Sequence, residues 1–231
     1  MDEIAIRDPR PGDADELAAL ITAHFSEGST YDVDLGLDDP TYHVLVAVAV
    51  DGDDDAEVDT GDDAEVDTGD DAEVNTGADT AAGSDGDGPI LGVMALREFA
   101  DPAAVADEMY FFDDPGLIPA ADRYGHLEMG YVRDDATGRG IGSRLLERLH
   151  DIGAERGVDL FLADSWFHGG DDSPERLFDR HGYETIHREP LDRPAAECPK
   201  CEVECTCEGA IAVRRAERDG DEHETASGGP A

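Results

Sequence analysis

A strand, a glycine-rich loop and an amphipathic helix follow one another directly in the middle of this chain. The strand is predicted over Gly125–Val132 and the helix over Gly140–Arg156, where apolar residues recur at helical spacing. Another strand is predicted over Val158–Phe167. Strands that alternate with helices in this way imply a sheet domain of the α/β or α+β class.

Shorter patterns on both sides of this unit predict the remaining elements. Asp13 is placed to cap a first helix that has one apolar face. Tyr42–Val50 is rich in β-branched residues and continuously apolar, which is typical of a buried strand. A second helix is predicted over Ser173–His181, with Gly182 as its stop. The other predicted strands are Ile4–Arg7, Pro89–Phe99, Tyr183–Arg188 and Ala210–Arg214.

An acidic insertion, Asp51–Gly88, separates two of these strands. It contains sixteen acidic residues, no basic residue and almost no large apolar one, so it buries too little to offset chain entropy and we expect it to be disordered. A calcium-binding array is the alternative, although the spacing matches neither an EF-hand loop nor a glycine-rich nonapeptide. Without the insertion, residues 1–215 have the length of one domain, followed by a disordered tail, 216–231. Three octapeptide repeats make up most of the insertion: Asp54–Gly61, Asp62–Gly69 and Asp70–Gly77.

The charge of the chain is extreme, with 58 acidic residues against 17 basic ones and a net charge of −41. Such a surface repels nucleic acid and anionic membranes, because affinity for both depends on Lys and Arg. Acidic residues also pervade the segments predicted to fold, which favours adaptation to a salt-rich cytoplasm, as in halophilic microbes. The N-terminus lacks the features of a signal peptide, and the longest apolar run, Val44–Val50, is too short to span a bilayer. We therefore expect a cytoplasmic protein.

The loop between the central strand and helix is suited to bind a phosphate. Glycines at 138, 140 and 142 let the backbone approach a ligand closely, and the N–H groups from Gly138 to Ser143 can point at an anion near the helix N-terminus. Arg139 or Arg144 can add a cation. The loop has no Walker lysine, and Leu145 stands where a dinucleotide fingerprint needs its third glycine.

Two blocks of this sequence resemble the GNAT superfamily of N-acetyltransferases. The first is the run from Val132 to Gly142, and the second is Leu177–Tyr183, with Gly182 and Tyr183 at the family's Gly-Phe positions. The resemblance implies a mixed, twisted sheet with helices on both faces, acetyl-CoA as co-substrate and an amine as acceptor. Asp134 and Thr137 depart from the family's Pro and Arg/Gln. The cofactor-binding residues that it implies are Val132, Thr137, Gly138, Arg139, Gly140, Ile141, Gly142 and Ser143.

The resemblance also implies direct attack of the amine on the thioester, with a backbone N–H at the end of the strand polarising the carbonyl. Glu128 is the candidate base, predicted to share a strand face with Gly130 and Val132, although a solvated or salt-bridged role is the alternative. Asp164 and His168 are weaker candidates. Phe178 replaces a tyrosine that often protonates the departing thiolate, so a non-catalytic acyl-CoA-binding regulatory module is the rival function.

All four cysteines lie within ten residues, and the first two form a Cys-x-x-Cys knuckle. Four thiolates can close a tetrahedral zinc site, and a reducing cytosol disfavours structural disulfides. The compact spacing also leaves open redox-active or oxidised pairs and passive thiols. The cluster lies between the last two predicted strands, where a metal would hold their hairpin together. Its members are Cys198, Cys201, Cys205 and Cys207.

We expect the thermal stability of the protein to rise with KCl concentration. Salt shortens the Debye length to about 3 Å at 1 M and so screens the mutual repulsion of the acidic surface. A melting series in KCl measures this directly. A melting temperature that stays constant or falls across the series contradicts adaptation to salt.

Overall fold

The structure is a computed structural model, and the part of the chain that it describes excludes most of the acidic insertion. The three octapeptide repeats and the rest of 51–86 lie outside the described residues, as does the tail from residue 218 onward. Ala216, which was predicted to begin the tail, donates its N–H to the carbonyl of Asp159 at 2.9 Å. The described residues are 3–25, 38–50, 87–170, 173–191, 194, 198, 201 and 204–217.

Every strand and helix that the sequence predicts is present, with small shifts at the ends. One further helix, Pro102–Glu108, forms where the sequence pattern predicts no element. Asp101 caps this helix by accepting the Ala103 N–H at 2.9 Å. None of the helices in the described part combines the length and apolar character needed to span a bilayer. The helices are α1 (Ala14–Phe25), α2 (Pro102–Glu108), α3 (Ile141–Glu155) and α4 (Glu175–Arg180). The strands are β1 (Glu3–Arg7), β2 (Tyr42–Val50), β3 (Asp87–Phe99), β4 (Tyr124–Val132), β5 (Leu160–Phe167), β6 (Glu184–Pro190) and β7 (Glu208–Arg215).

One seven-stranded sheet organises the described residues, in the order β1-β2-β3-β4-β5-β7-β6. Only β4 and β5 pair in parallel, and every other neighbouring pair is antiparallel. The last strand, β7, inserts between β5 and β6, so the connection after β6 returns the chain into the sheet. The predicted mixed sheet is thereby confirmed.

Side chains that alternate along the strands send apolar residues to two different faces of the sheet. On β2, Leu45 and Ala47 join the core beneath α3 and α4, whereas Val44 and Val46 join the core beneath α1. The α3 face has one continuous core. The opposite face has two cores, one under α1 and one under α2, so that this face is divided near the junction of β4 and β5.

A buried carboxylate anchors the end of β3 on the α3 face. Glu98 is 5% exposed and binds His43 at 2.7 Å, Arg123 at 2.9 Å and Arg156 at the end of α3. Burial alone raises the pKa of the Glu98 carboxyl, but the hydrogen bonds from His43 and Arg156 and the charges of both arginines lower it below its ordinary value. The network joins β2, β3 and the segment just before β4 to the end of α3, the helix that follows the glycine loop.

We expect Glu98→Gln to lower the free energy of unfolding by about 3 kcal/mol, because it leaves two arginines and a histidine without their buried anion. Denaturant unfolding at constant KCl and pH 7 measures the change. Glu155→Gln is the matched control: Glu155 is exposed near the end of α3, and its loss should change stability by less than about 0.5 kcal/mol.

The pH dependence of this contribution has a defined sign. Because the folded-state pKa of Glu98 is lowered, its stabilisation is present above the unfolded pKa of about 4.3 and is lost as the pH falls through the folded value. If Glu98→Gln and Glu155→Gln lower the free energy of unfolding by equal amounts, the role of the network is contradicted.

Candidate active site

The glycine loop between β4 and α3 has the backbone conformation that its sequence predicts. After a 3₁₀ turn at Asp134–Ala136, Gly138 and Gly140 take positive φ values of 75° and 78°. Both lie in the left-handed region, which side chains with a Cβ adopt at a cost. Gly140 is the residue immediately before α3. These two glycines therefore turn the chain from the end of β4 directly into the start of the helix.

The N-terminus of α3 presents main-chain donors at this loop. The N–H of Arg144 donates to the carbonyl of Gly140 at 3.1 Å, so the N–H groups of Ile141, Gly142 and Ser143 precede the first such bond of the helix. The helix dipole adds positive potential at the same point. The loop thus has the donors and the electrostatics of an anion site.

Side chains around the loop are largely committed to holding its shape. Thr137 donates its hydroxyl to the carbonyl of Asp134 at 2.8 Å, and Arg133 pairs with Asp135 at 2.6 Å. Arg144 donates to the carbonyl of Ile4 at 2.7 Å, so it ties α3 to β1. Of the two cations suggested by the sequence, Arg144 therefore has a structural role. The main chain, more than any side chain, is what this loop offers to an anion.

β4 and β5 separate beside this loop and form a fork. Their parallel pairing ends at Leu127 with Ala163, although β4 continues to Val132 and β5 to Phe167. Beyond that pair, β4 stays paired with β3 and β5 with β7, but the edges of β4 and β5 that face each other have no ladder partner. Such edges carry N–H and C=O groups that need partners. The glycine loop follows the last residue of β4, at the mouth of the fork.

A β-bulge at Glu128 changes the faces along β4. Ala95 on β3 pairs with Met129, but the next residue, Leu96, pairs with Leu127, so Glu128 is the extra residue. The prediction that Glu128 shares a face with Gly130 and Val132 is therefore wrong. Val132 packs toward α3, whereas Glu128 contacts residues of the opposite face.

Glu128 and Asp164 are the first residues beyond the last parallel pair, on β4 and β5 respectively. Since Leu127 and Ala163 both point toward α3, the two carboxylates point to the other face, into the division between its two cores. Glu128 Oε1 lies 3.2 Å from Arg97 Nε. The salt-bridged role considered from the sequence is thus what the structure shows for Glu128.

Asp164 has the more unusual environment of the two carboxylates. One oxygen, Oδ2, accepts the N–H groups of Tyr110 and, at 2.8 Å, Phe111. The other, Oδ1, is buried and has no hydrogen-bond partner among the described residues. Burial raises the pKa of Asp164 to about 6, against the lowering effect of the two N–H groups. His168, the other weaker candidate, has its Nδ1 3.3 Å from the Gly170 N–H and so shapes its own loop.

His126, which the sequence did not single out, lies on the same face of β4 as Glu128. The residue is 3% exposed, and neither ring nitrogen has a hydrogen-bond partner in the part of the chain that the structure describes. Burial, with a smaller contribution from the charge of Arg97, lowers the pKa of His126 to about 4, so its ring is neutral at pH 7. The sequence signal that could have placed His126 at the site is its position two residues before Glu128 on the same predicted strand.

The four cysteines come together in space. Their sulfur atoms all lie within 4.8 Å of one another, and none forms a disulfide. The cluster precedes β7, in the connection from β6, as the sequence predicts. It stands beside the end of β5, because Phe167 pairs with Glu208.

Comparisons with known proteins agree with this geometry. A family model described as the Acetyltransferase (GNAT) family matches residues 57–183, more than half of the chain. Among curated sequences, no relative matches. Solved structures are similar in fold: an aminoglycoside 6'-N-acetyltransferase complexed with coenzyme A has 13% identity and a TM-score of 0.53, over 95% of this chain and 99% of that one.

Two further solved structures are similar over comparable lengths. NAA60 of Arabidopsis thaliana, in complex with acetyl-CoA, has 11% identity and a TM-score of 0.55, over 92% of this chain and 98% of that one. A GCN5-related N-acetyltransferase from Kribbella flavida has 15% identity and a TM-score of 0.52, over 92% and 97%. With the family match over its central strand, loop and helix, this chain belongs to the GNAT family and is an acetyltransferase.

Proposed function

We propose that this protein transfers an acetyl group from acetyl-CoA directly to a primary amine. The observation that carries the proposal is the fork between β4 and β5, with an anion-binding loop at its mouth and two carboxylates at its apex. A thioester in the fork lies between these two features. The aminoglycoside 6'-N-acetyltransferase structure is complexed with coenzyme A, and the NAA60 structure is in complex with acetyl-CoA.

The co-substrate occupies the α3 side of the fork in this proposal. The N–H groups from Gly138 to Ser143 bind the pyrophosphate, and the glycines leave room for it. Thr137 contributes mainly through the turn that it stabilises. The pantetheine arm then runs along the open edges of β4 and β5 toward the carboxylates.

The backbone of Val132 is oriented to polarise the thioester carbonyl. The next residue, Arg133, donates its N–H to Leu91 on β3 at 2.9 Å. Successive N–H groups of a strand point to opposite sides, so that of Val132 is directed into the fork. A donor placed there stabilises the oxyanion that forms when the amine attacks.

Asp164 is the base that we propose for the amine, in preference to Glu128. Its Oδ1 is buried and unbonded among the described residues, and a pKa of about 6 keeps it mostly ionised at pH 7 yet a better proton acceptor than an ordinary carboxylate. Glu128, held by Arg97, is suited to attract the cationic amine before it loses its proton. Glu128 stays the alternative base.

The reaction balances with few protein groups. The cationic amine first gives one proton to Asp164. The neutral nitrogen then attacks the carbonyl carbon, the carbon–sulfur bond breaks, and the new amide nitrogen releases its second proton to solvent. The thiolate then takes a proton from solvent. Phe178 offers none: it is buried and packs on Tyr183 with ring centroids 5.1 Å apart. The Tyr183 hydroxyl is engaged with His150 at 2.8 Å.

The remaining predictions from the sequence are also proposals. A cytoplasmic location and a single domain over 1–215 fit the proposed substrate and the one sheet of the described residues. A structural zinc ion at the cysteine cluster is proposed on separate grounds, since no step of acetyl transfer requires it.

We expect Asp164→Asn to lower kcat by about 10²–10⁴-fold, the usual contribution of a general base. In the wild type, kcat/KM should rise as the pH increases through about 6, because Asp164 must be ionised to accept the proton; this limb should vanish in the variant. Thiol release from acetyl-CoA with a panel of amines measures both effects.

Glu128→Gln is the matched carboxylate-to-amide control at the fork. It should raise KM for the amine and keep the acidic limb of the pH profile. If Glu128→Gln abolishes that limb and Asp164→Asn keeps it, the base is Glu128. If the wild type releases no thiol with any amine, the proposed transfer is rejected in favour of an acyl-CoA-binding module.

We expect Gly140→Ala to weaken CoA binding by about tenfold or more, equivalent to 1.4 kcal/mol, because a Cβ at positive φ displaces the loop donors. Titration calorimetry with CoA measures the affinity. Gly157→Ala is the matched control: Gly157 has φ of 81° and open space around its missing Cβ, like Gly140, but follows the other end of α3.

Both glycine variants should lose about 1 kcal/mol of stability, since both force alanine into the left-handed region. Only Gly140→Ala should lose affinity for CoA. Equal affinities in the two folded variants would argue against the loop as the pyrophosphate site.

A further inference from the structure

The sulfur atoms of the cysteine cluster have a specific mutual arrangement. Cys207 Sγ lies 3.7 Å from Cys198 Sγ and 3.6 Å from Cys201 Sγ, and all four sulfurs lie within 4.8 Å of one another. Cys198 and Cys207 are buried, and the other two are partly exposed. The four thiols therefore surround a common point at the edge of the protein.

These distances fit a metal tetrahedron better than a disulfide. A Zn–S bond of about 2.3 Å gives tetrahedral S···S edges of about 3.8 Å, close to both distances at Cys207. A disulfide requires about 2.05 Å. Moreover, Cys207 is nearly equidistant from two other sulfurs, whereas a disulfide joins one sulfur to one partner.

We propose that the cysteine cluster is a closed, four-thiolate binding site for Zn²⁺. Four protein ligands complete a tetrahedron, so the ion has no open position for a substrate and its role is structural. On binding, four S–H bonds break, four Zn–S bonds form, and the protons pass to solvent. The oxidation state of metal and sulfur does not change.

Local hydrogen bonds hold the ligands in place. The Cys201 N–H donates to the Cys198 carbonyl at 3.4 Å, which closes the turn of the Cys-x-x-Cys knuckle. The Leu191 N–H donates to the Cys207 carbonyl at 2.9 Å, so the two ends of the connection between β6 and β7 meet at the cluster. On β5, Trp166 pairs with Gly209 of β7, two residues after Cys207, so β5 supports the start of β7 beside the cluster.

The position of the site explains what the ion stabilises. β7 begins one residue after Cys207, and Gly209 on β7 packs against Phe111: a Cβ on this glycine would lie 3.0 Å from Phe111 Cγ. Phe111 in turn donates its N–H to Asp164. Zinc therefore fixes the start of β7. Through the contact between Gly209 and Phe111, it also holds the backbone that donates to Asp164. That last consequence rests on the proposed acetyl transfer, whereas the metal site does not.

The test begins with the wild-type, full-length protein. After purification in reducing buffer and dialysis, elemental analysis should find one zinc per chain. Exchange with Co²⁺ should give the visible bands of tetrahedral cobalt and a sulfur-to-cobalt charge-transfer band in the near ultraviolet. Titration with a mercurial reagent should release the zinc as the four thiols react.

Variants then assign the ligands. Replacement of the four cysteines by serine should abolish zinc binding, and Glu204→Gln is the matched control, because Glu204 is an exposed residue of the same connection. Stoichiometric iron, no retained metal, or a mass that reveals disulfides in the wild type would each overturn the proposal. These readouts do not depend on catalysis: zinc-loaded protein without acetyl transfer rejects only the proposed function, and zinc-free protein that transfers acetyl rejects only this site.

Discussion

The separation of β4 from β5 is the constraint on which the rest of this structure depends. These strands form the only parallel pair of the described sheet, and their pairing stops at Leu127 and Ala163. The bulge at Glu128 accounts for the change, because an extra residue bends and twists the strand that carries it. β5 stays in the sheet through β7, while β4 follows β3. An open backbone edge inside a sheet is unfavourable until a ligand or water satisfies it.

The two faces of the sheet differ in composition, and we propose that one supplies stability and the other the chemistry. The α3 face has a continuous apolar core, and Glu98 anchors its far end. The opposite face is divided into two cores, and the groups between them are polar: His126, Glu128 and Asp164. Buried polar groups without full hydrogen bonding destabilise a fold. They persist in active sites because the surrounding structure supplies the stability that they cost.

Periodicity and glycine placement made much of this fold predictable. The strands and helices follow from local pattern, and the positive φ values of Gly138 and Gly140 follow from a loop that must turn sharply into a helix. The convergence of the cysteines followed from their closeness in sequence. Even α2 had a signal in Asp101 before Pro102, the usual start of a helix.

Features that depend on distant pairings could not be predicted. The bulge at Glu128 arises from register against β3 and leaves no mark in the alternation of the β4 sequence alone. The N–H groups that hold Asp164 come from residues 53 and 54 positions away. The insertion of β7 between β5 and β6 likewise depends on the whole sheet. Asp164 was therefore ranked below Glu128, although its environment is the one that shifts a pKa toward neutrality.

A chain with a net charge of −41 must still bind a polyanion if it uses acetyl-CoA. In the binding mode that we propose, the glycine loop meets this requirement with main-chain N–H groups, which attract phosphate at short range and need no lysine. The long-range repulsion between the acidic surface and the co-substrate falls as salt shortens the Debye length, whereas contacts at hydrogen-bond distance are screened much less. We therefore expect salt to act in the same direction on folding and on co-substrate binding, so that one acidic surface is compatible with both in concentrated salt.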